Sequence, residues 1–136
     1  MPRRADIDPV DLKDLLPDLL LGDYEPSPFR VRFRLVGTRL AAIHGLDFTG
    51  HYLDQLVFAA ADGLDWSDLN RLVFDRKTPL YGRGRRPTSD GRDVGFEFGT
   101  FPLSDDGETV NRWVGVEAYD PLDSLAIERL EKTRLV

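Results

Sequence analysis

The chain has 136 residues, of which 41% are hydrophobic and 31% charged, with a net charge of −6 and no cysteine. That length suits one domain with one core. The acidic balance argues against a nucleic-acid partner, the lack of a long apolar run argues against a membrane span, and the missing cysteine excludes disulfides, thiolate metal sites and cysteine chemistry.

The first predicted element is a helix. Asp8 is its N-cap, Pro9 its first helical residue, and Asp11 sits where its charge meets the helix N-terminus. Ile7 and Leu12 occupy the positions of a hydrophobic staple. Leu12, Leu15 and Leu16 form the apolar stripe, and Pro17 ends the segment. Asp18 to Tyr24 reads as a strand, and Glu25-Pro26-Ser27-Pro28 as a turn.

Phe29, Val31, Phe33 and Leu35 then alternate with Arg30, Arg32 and Arg34. This is the period of a half-buried strand with an arginine row on its other face. The period changes at once. Thr38 can cap a short helix with Leu40, Ile43 and His44 on its apolar face, and Gly45 can end it. Tyr52, Leu53, Leu56 and Val57 suggest another helical piece. Asp65 can cap a longer helix with Trp66, Leu69, Leu72 and Val73 on one face, stopped by Thr78-Pro79.

Three strands follow: Leu80 to Arg86, Val94 to Leu103, and Arg112 to Tyr119. Thr88-Ser89-Asp90-Gly91 and Ser104-Asp105-Asp106-Gly107 join them as hairpins. Alternation turns Phe96 and Phe98 to one face and Phe101 to the other. A last helix is capped by Asp120, begins at Pro121, and carries Leu122, Leu125 and Leu130 with a Glu128–Lys132 pair. The sum is an α+β architecture: a five-stranded antiparallel sheet with its helices on one side.

This order resembles the PAS fold, with two strands, a helical middle and three strands. The residues Arg4-Ala5-Asp6-Ile7-Asp8-Pro9, Leu15-Leu16-Pro17, Arg34-Leu35-Val36-Gly37-Thr38 and Asp47-Phe48-Thr49-Gly50 look like a family of small, stand-alone bacterial PAS-domain proteins. Pro79-Leu80-Tyr81-Gly82-Arg83-Gly84 and Pro102-Leu103-Ser104-Asp105-Asp106-Gly107 continue the match. The resemblance implies an N-terminal capping helix over residues 1–17, a PAS core over 18–120 and a C-terminal helix over 121–136. It implies a cytoplasmic sensory or interaction module with no agreed ligand and no catalytic residues.

Departures from other PAS types narrow the cofactors. A thiol-linked flavin needs a cysteine. A haem sensor of this fold uses a histidine on the long helix, and Asp65 to Thr78 has none. His44 and His51 lack metal-ligand spacing, so a metal is not expected.

The expected cavity is lined by Ile43, His44, Tyr52, Leu56, Leu69, Val73, Tyr81, Phe96, Phe98 and Trp113. Its occupant is a small apolar ligand, or else the core is filled and the module binds a signalling protein. Arg30, Arg32 and Arg34 are candidates for an interaction surface. Charge guarding a sheet edge is the competing reading, with acidic residues such as Asp11, Asp14, Glu128 and Glu131 as neighbours. Arg83, Arg85, Arg86 and Arg92 read as a solvated hairpin rather than a nucleic-acid site. A homodimer is expected, because the terminal helices and the outer sheet face offer apolar stripes. An isomerase-like enzyme using Asp54 and Tyr52 is the remaining class, and the order of elements argues against it.

Overall fold

The computed structural model describes residues 1–8, 10–56, 64–87 and 93–119. Among them the chain forms β1 (Leu19–Pro26), β2 (Phe29–Val36), α1 (Thr38–His44), α2 (Trp66–Arg76), β3 (Leu80–Pro87), β4 (Asp93–Leu103) and β5 (Arg112–Tyr119). The strands make one antiparallel sheet in the order β2-β1-β5-β4-β3. β1 and β5 pair although Asp23 and its partner Arg112 are 89 residues apart, a long-range contact that closes the domain.

Each sheet face is apolar, and each is covered. The inner face carries Leu20, Tyr24, Val31, Phe33, Phe96, Phe98, Trp113 and Tyr119, packed under Leu40 and Ile43 of α1 and Val73 of α2. The outer face carries Leu19, Leu21, Phe101, Leu103, Val114 and Val116. Ile7, Leu12 and Leu15 of the N-terminal segment cover it. Phe101 therefore does point away from Phe96 and Phe98, as alternation requires.

The N-terminal segment is not the regular helix its stripe suggests. Val10 to Leu15 is a run of turns, followed by a 3₁₀ turn at Leu16–Asp18. Its bonds are mostly i→i+3, from Leu15 N to Leu12 O at 2.8 Å and from Asp18 N to Leu15 O at 2.8 Å. Pro17 has no N–H to continue a ladder and biases Leu16 away from helical dihedrals, so there is no room for regular helix. The burial pattern survives, because Leu12 and Leu15 still face the sheet.

Three local expectations change. The alternation of β2 breaks at Arg34, since Leu21 pairs with Leu35 but Gly22 pairs with Phe33. This bulge moves Leu35 to the outer cluster and brings Val36 to the inner one. The N-cap of α1 is Gly37 rather than Thr38. A Cβ on Gly37 would stand 2.3 Å from the Pro17 carbonyl oxygen, so the close crossing of the two segments requires glycine. On α2, Leu72 is exposed, and Asn70 and Phe74 join the inward side instead. Asp65 caps α2 as expected, accepting from Asp68 N at 3.0 Å, and Gly45 ends α1 with φ 73°. Val57, the loop at Thr88–Gly91 and the last helix from Asp120 lie outside the described residues.

Candidate functional site

Alternation along β3 places Leu80, Gly82, Gly84 and Arg86 on the inner face. The glycines are bare for a reason. A Cβ on Gly82 would lie 2.5 Å from the Phe98 ring, and one on Gly84 would lie 2.9 Å from Phe96. The two phenylalanine rings therefore lie against β3. Arg86, the next inner residue, sets its guanidinium 4.1 Å from the Phe96 ring centroid, within reach of the Trp66 and Tyr119 rings.

Glu117 of β5 is the acid that meets it. Arg86 Nη1 donates to Glu117 Oε1 at 3.0 Å, and the Tyr119 hydroxyl donates to the same oxygen at 2.6 Å. Both charged side chains are less than 10% exposed. A buried charge pair is tolerated only with good geometry and further hydrogen bonds, and the hydroxyl and the aromatic faces supply these. Arg86 Nη1 also lies 2.9 Å from His44 Nε2 at the end of α1. A guanidinium has no acceptor, so Nε2 accepts, the imidazole is neutral and its proton is on Nδ1. One cluster thus joins α1, β3 and β5.

The cluster borders a cavity of about 60 Å³ between the sheet and the helices. Its floor is Phe98, Thr100, Gly115 and Glu117, paired across β4 and β5. Leu20, Phe33, Phe48, Trp66 and Trp113 form most of its apolar wall, and Asn70 adds an amide. Asn70 is held in place, accepting from the Tyr24 hydroxyl at 2.7 Å and donating to Trp66 O at 2.8 Å. Burial pushes the Tyr24 phenol well above its ordinary pKa. Trp113 Nε1 is buried with no hydrogen-bond partner.

Of the residues expected to line a cavity, His44, Phe98 and Trp113 do so. Phe96 lies one layer back, beneath Arg86. Ile43, Leu69 and Val73 pack in the inner core without lining the cavity. Leu56 faces a separate open groove of about 430 Å³ beside Arg30 and Asp54. Tyr52 stands at the sheet edge, its hydroxyl donating to Glu25 Oε2 at 2.6 Å. Tyr81 is on the outer face, 58% exposed and edge-on to Phe101, because its inner-facing neighbours are Leu80 and Gly82.

Arg86, Glu117, Asn70 and Thr100 were not anticipated. The sequence reads Arg86 as part of a solvated hairpin; Arg83 and Arg85 do lie there, paired with Glu97 and Asp93. A signal existed for Arg86 and Glu117. Each is a charged residue at an inward position of its strand, in register with Leu80 or Trp113.

The arginine row lies on β2, an edge strand. Arg30 makes a two-pronged contact with Asp54 at 2.8 Å, and Arg34 pairs with Asp23 of β1. The guanidinium of Arg30 also stacks 3.5 Å from the Tyr52 ring centroid. These acids come from the neighbouring strand and a 3₁₀ turn, Leu53–Gln55. Residues 50–52 also bond to the strand itself, from Phe33 N to His51 O and from Gly50 N to Phe33 O. They cover part of the edge. Tyr52 and Asp54 form no isomerase-like pair: Arg30 holds the Asp54 carboxyl below its ordinary pKa, and neither residue lines the inner cavity.

No three His, Asp or Glu side chains among the described residues are grouped to hold a metal. No described helix is long and apolar enough to cross a membrane.

A family model described as PAS domain matches residues 1–118. The chain belongs to the PAS domain family. No curated protein matches it. Among solved structures it is similar to a Light-Oxygen-Voltage domain, with 15% identity over 90% of each chain and a TM-score of 0.62. It is similar to a Rhodobacter sphaeroides LOV protein, with 12% identity over 91% of this chain and 74% of that one, TM-score 0.60. An RNA-binding Light-Oxygen-Voltage receptor matches at 14% identity over 97% of this chain and 39% of that one, TM-score 0.61. Identities this low speak for the fold alone. PAS membership and the sheet order agree with the fold read from the sequence.

Proposed function

We propose that this PAS domain is a sensory module that binds a small molecule in the inner cavity and signals by repacking helix against sheet. The observation that carries this reading is the Arg86–Glu117–His44 cluster at the cavity wall. It ties α1 to both β3 and β5, so an occupant touching it acts on the helical layer and the sheet together. Such a ligand shifts the equilibrium only by its difference in affinity for the two packings. The terminal segments report the shift, the protein acts as a cytoplasmic homodimer, and it performs no catalysis.

Native mass spectrometry of the freshly purified protein tests this reading. A bound mass supports it. A bare chain that stays bare with every metabolite offered counts against it, and the same spectrum gives the oligomer.

The second reading is a ligand-free adaptor. It is favoured by the cavity volume, about 60 Å³, which is below the roughly 300–1,000 Å³ of drug-sized pockets. Pull-down partners with no bound mass would support it. The acidic net charge favours a protein or small-molecule partner over nucleic acid, and a mobility shift with single-stranded RNA would overturn that preference.

A further inference from the structure

The ligand class can be read from the hydrogen-bonding groups left around the cavity, given the ligand-sensing reading above. Arg86 and Glu117 are paired, and His44 is neutral because its Nε2 accepts from Arg86. Among the described residues no other ionisable side chain lines the cavity. A charged occupant would therefore be buried without a counter-charge, at high cost.

Hydrogen-bonding groups remain at the wall. Glu117 receives both of its hydrogen bonds at Oε1, from Arg86 and Tyr119, which leaves Oε2 with acceptor capacity at the cavity wall. Thr100 adds a hydroxyl from the floor. Trp113, Gly115 and Glu117 share one face of β5, and the middle residue has no side chain. The cavity thus offers an acceptor at Glu117 and a hydroxyl at Thr100 beside the bare Gly115. A Cβ on Gly115 would meet Trp113 at 3.1 Å and Leu20 at 3.6 Å, so a methyl group there enters this space in near-contact with its walls.

We infer that the cavity between Trp113 and Glu117 binds a small uncharged molecule with a short apolar body and a hydroxyl or carboxamide group. Such a group can donate to Glu117 or accept from the Thr100 hydroxyl, and its body lies among Leu20, Phe33 and Phe48.

The test uses four probes with one carbon skeleton: 1-butanol, butyramide, butyrate and butylammonium. The chain has two tryptophans, so the indole N–H of Trp113 is readily assigned by NMR. The expected result is a saturable shift of that signal with butanol or butyramide, at an affinity at least tenfold above that for either ion. Gly115→Ala should weaken the binding at least tenfold. Thr100→Leu, which fills the floor from β4, serves if Gly115→Ala does not fold. Equal or tighter binding of butyrate or butylammonium overturns the inferred class but leaves a ligand-sensing cavity in place. So does a charged molecule found bound in the purified protein. Uncharged binding that survives both filling variants overturns the location. No shift with any probe, together with a bare native mass, overturns both the class and the ligand-sensing reading.

Discussion

Arg86 of β3 and Glu117 of β5 meet at 3.0 Å across β4, the strand that lies between theirs. The guanidinium crosses the Phe96 ring on the way. Two bare glycines precede Arg86 on the same face of β3, and the rings of β4 fill the space they leave. The ion pair is a product of packing in the sheet rather than of any local motif.

Breaking this pair from one side should be costly. Arg86→Met leaves a buried carboxylate with only the Tyr119 hydroxyl, and loss of one partner of a buried pair costs about 3–5 kcal/mol. Replacing both Arg86 and Glu117 with methionine should recover much of that loss, because no buried charge remains. Urea denaturation of the single and double variants measures this. Single variants within about 1 kcal/mol of the parent would mean that water reaches the pair.

Acid should remove a defined contribution from the β4–β5 turn. Asp106 accepts from Thr109 N, Glu108 N and the Ser104 hydroxyl, and these bonds hold its pKa at about 2 instead of 3.8. A depressed carboxylate stabilises the fold above its unfolded pKa, and that contribution is lost as pH falls toward the folded one. Asp106→Asn should therefore be less stable than the parent at pH 6, with a gap that narrows below about pH 4 and closes near pH 2. Asp47, held low by the Thr49 hydroxyl, and Asp54, held low by Arg30, steepen the same acid limb. Denaturation midpoints across pH 2–7 test the sign.

Glycine substitutions should separate by neighbour. On Gly22 a Cβ would stand 2.2 Å from the Arg32 carbonyl oxygen and 2.5 Å from the Trp113 ring. Backbone cannot yield as a side chain can, so Gly22→Ala should be the most damaging and lower the expression of folded protein. Gly82→Ala meets only the Phe98 ring at 2.5 Å, an overpacking that costs about 1–3 kcal/mol. Gly107→Ala has open space but φ of 80°, and should cost about 1–2 kcal/mol. Thermal melts of the three variants should preserve that order.

The N-terminal segment should contribute to stability as core does. Leu15 is 3% exposed against Phe101, Val114 and their neighbours on the outer face. Leu15→Ala should cost about 2–5 kcal/mol. Removing residues 1–17 should expose that face and shift the protein toward assemblies larger than the parent's in size-exclusion chromatography. A truncated chain that keeps the parent's oligomeric state and melts as the parent does would show that the segment is dispensable.

This packing takes one apolar stripe away from the surfaces open to the proposed dimer. The stripe of Leu12 and Leu15, one of the apolar surfaces expected to be open, is buried against the outer sheet face. Periodicity identifies which residues seek burial, but not whether the surface they find is their own sheet or another subunit.

What the sequence by itself determined is whatever depends on neighbours in the chain. The period of two marks β2, β4 and β5, Asp65 caps α2 through its own side chain, and Gly45 supplies the left-handed stop of α1. The order of these elements was enough for the PAS fold. Tertiary structure decided the rest. His44 and Arg86 are 42 residues apart, and Arg86 and Glu117 are 31 apart. Whether such charges face solvent or a cavity depends on sheet order and on which rings fill the space beside Gly82 and Gly84. The bulge at Arg34 and the cover over the outer face likewise arise from contacts between distant segments. Local propensity has no term for such contacts.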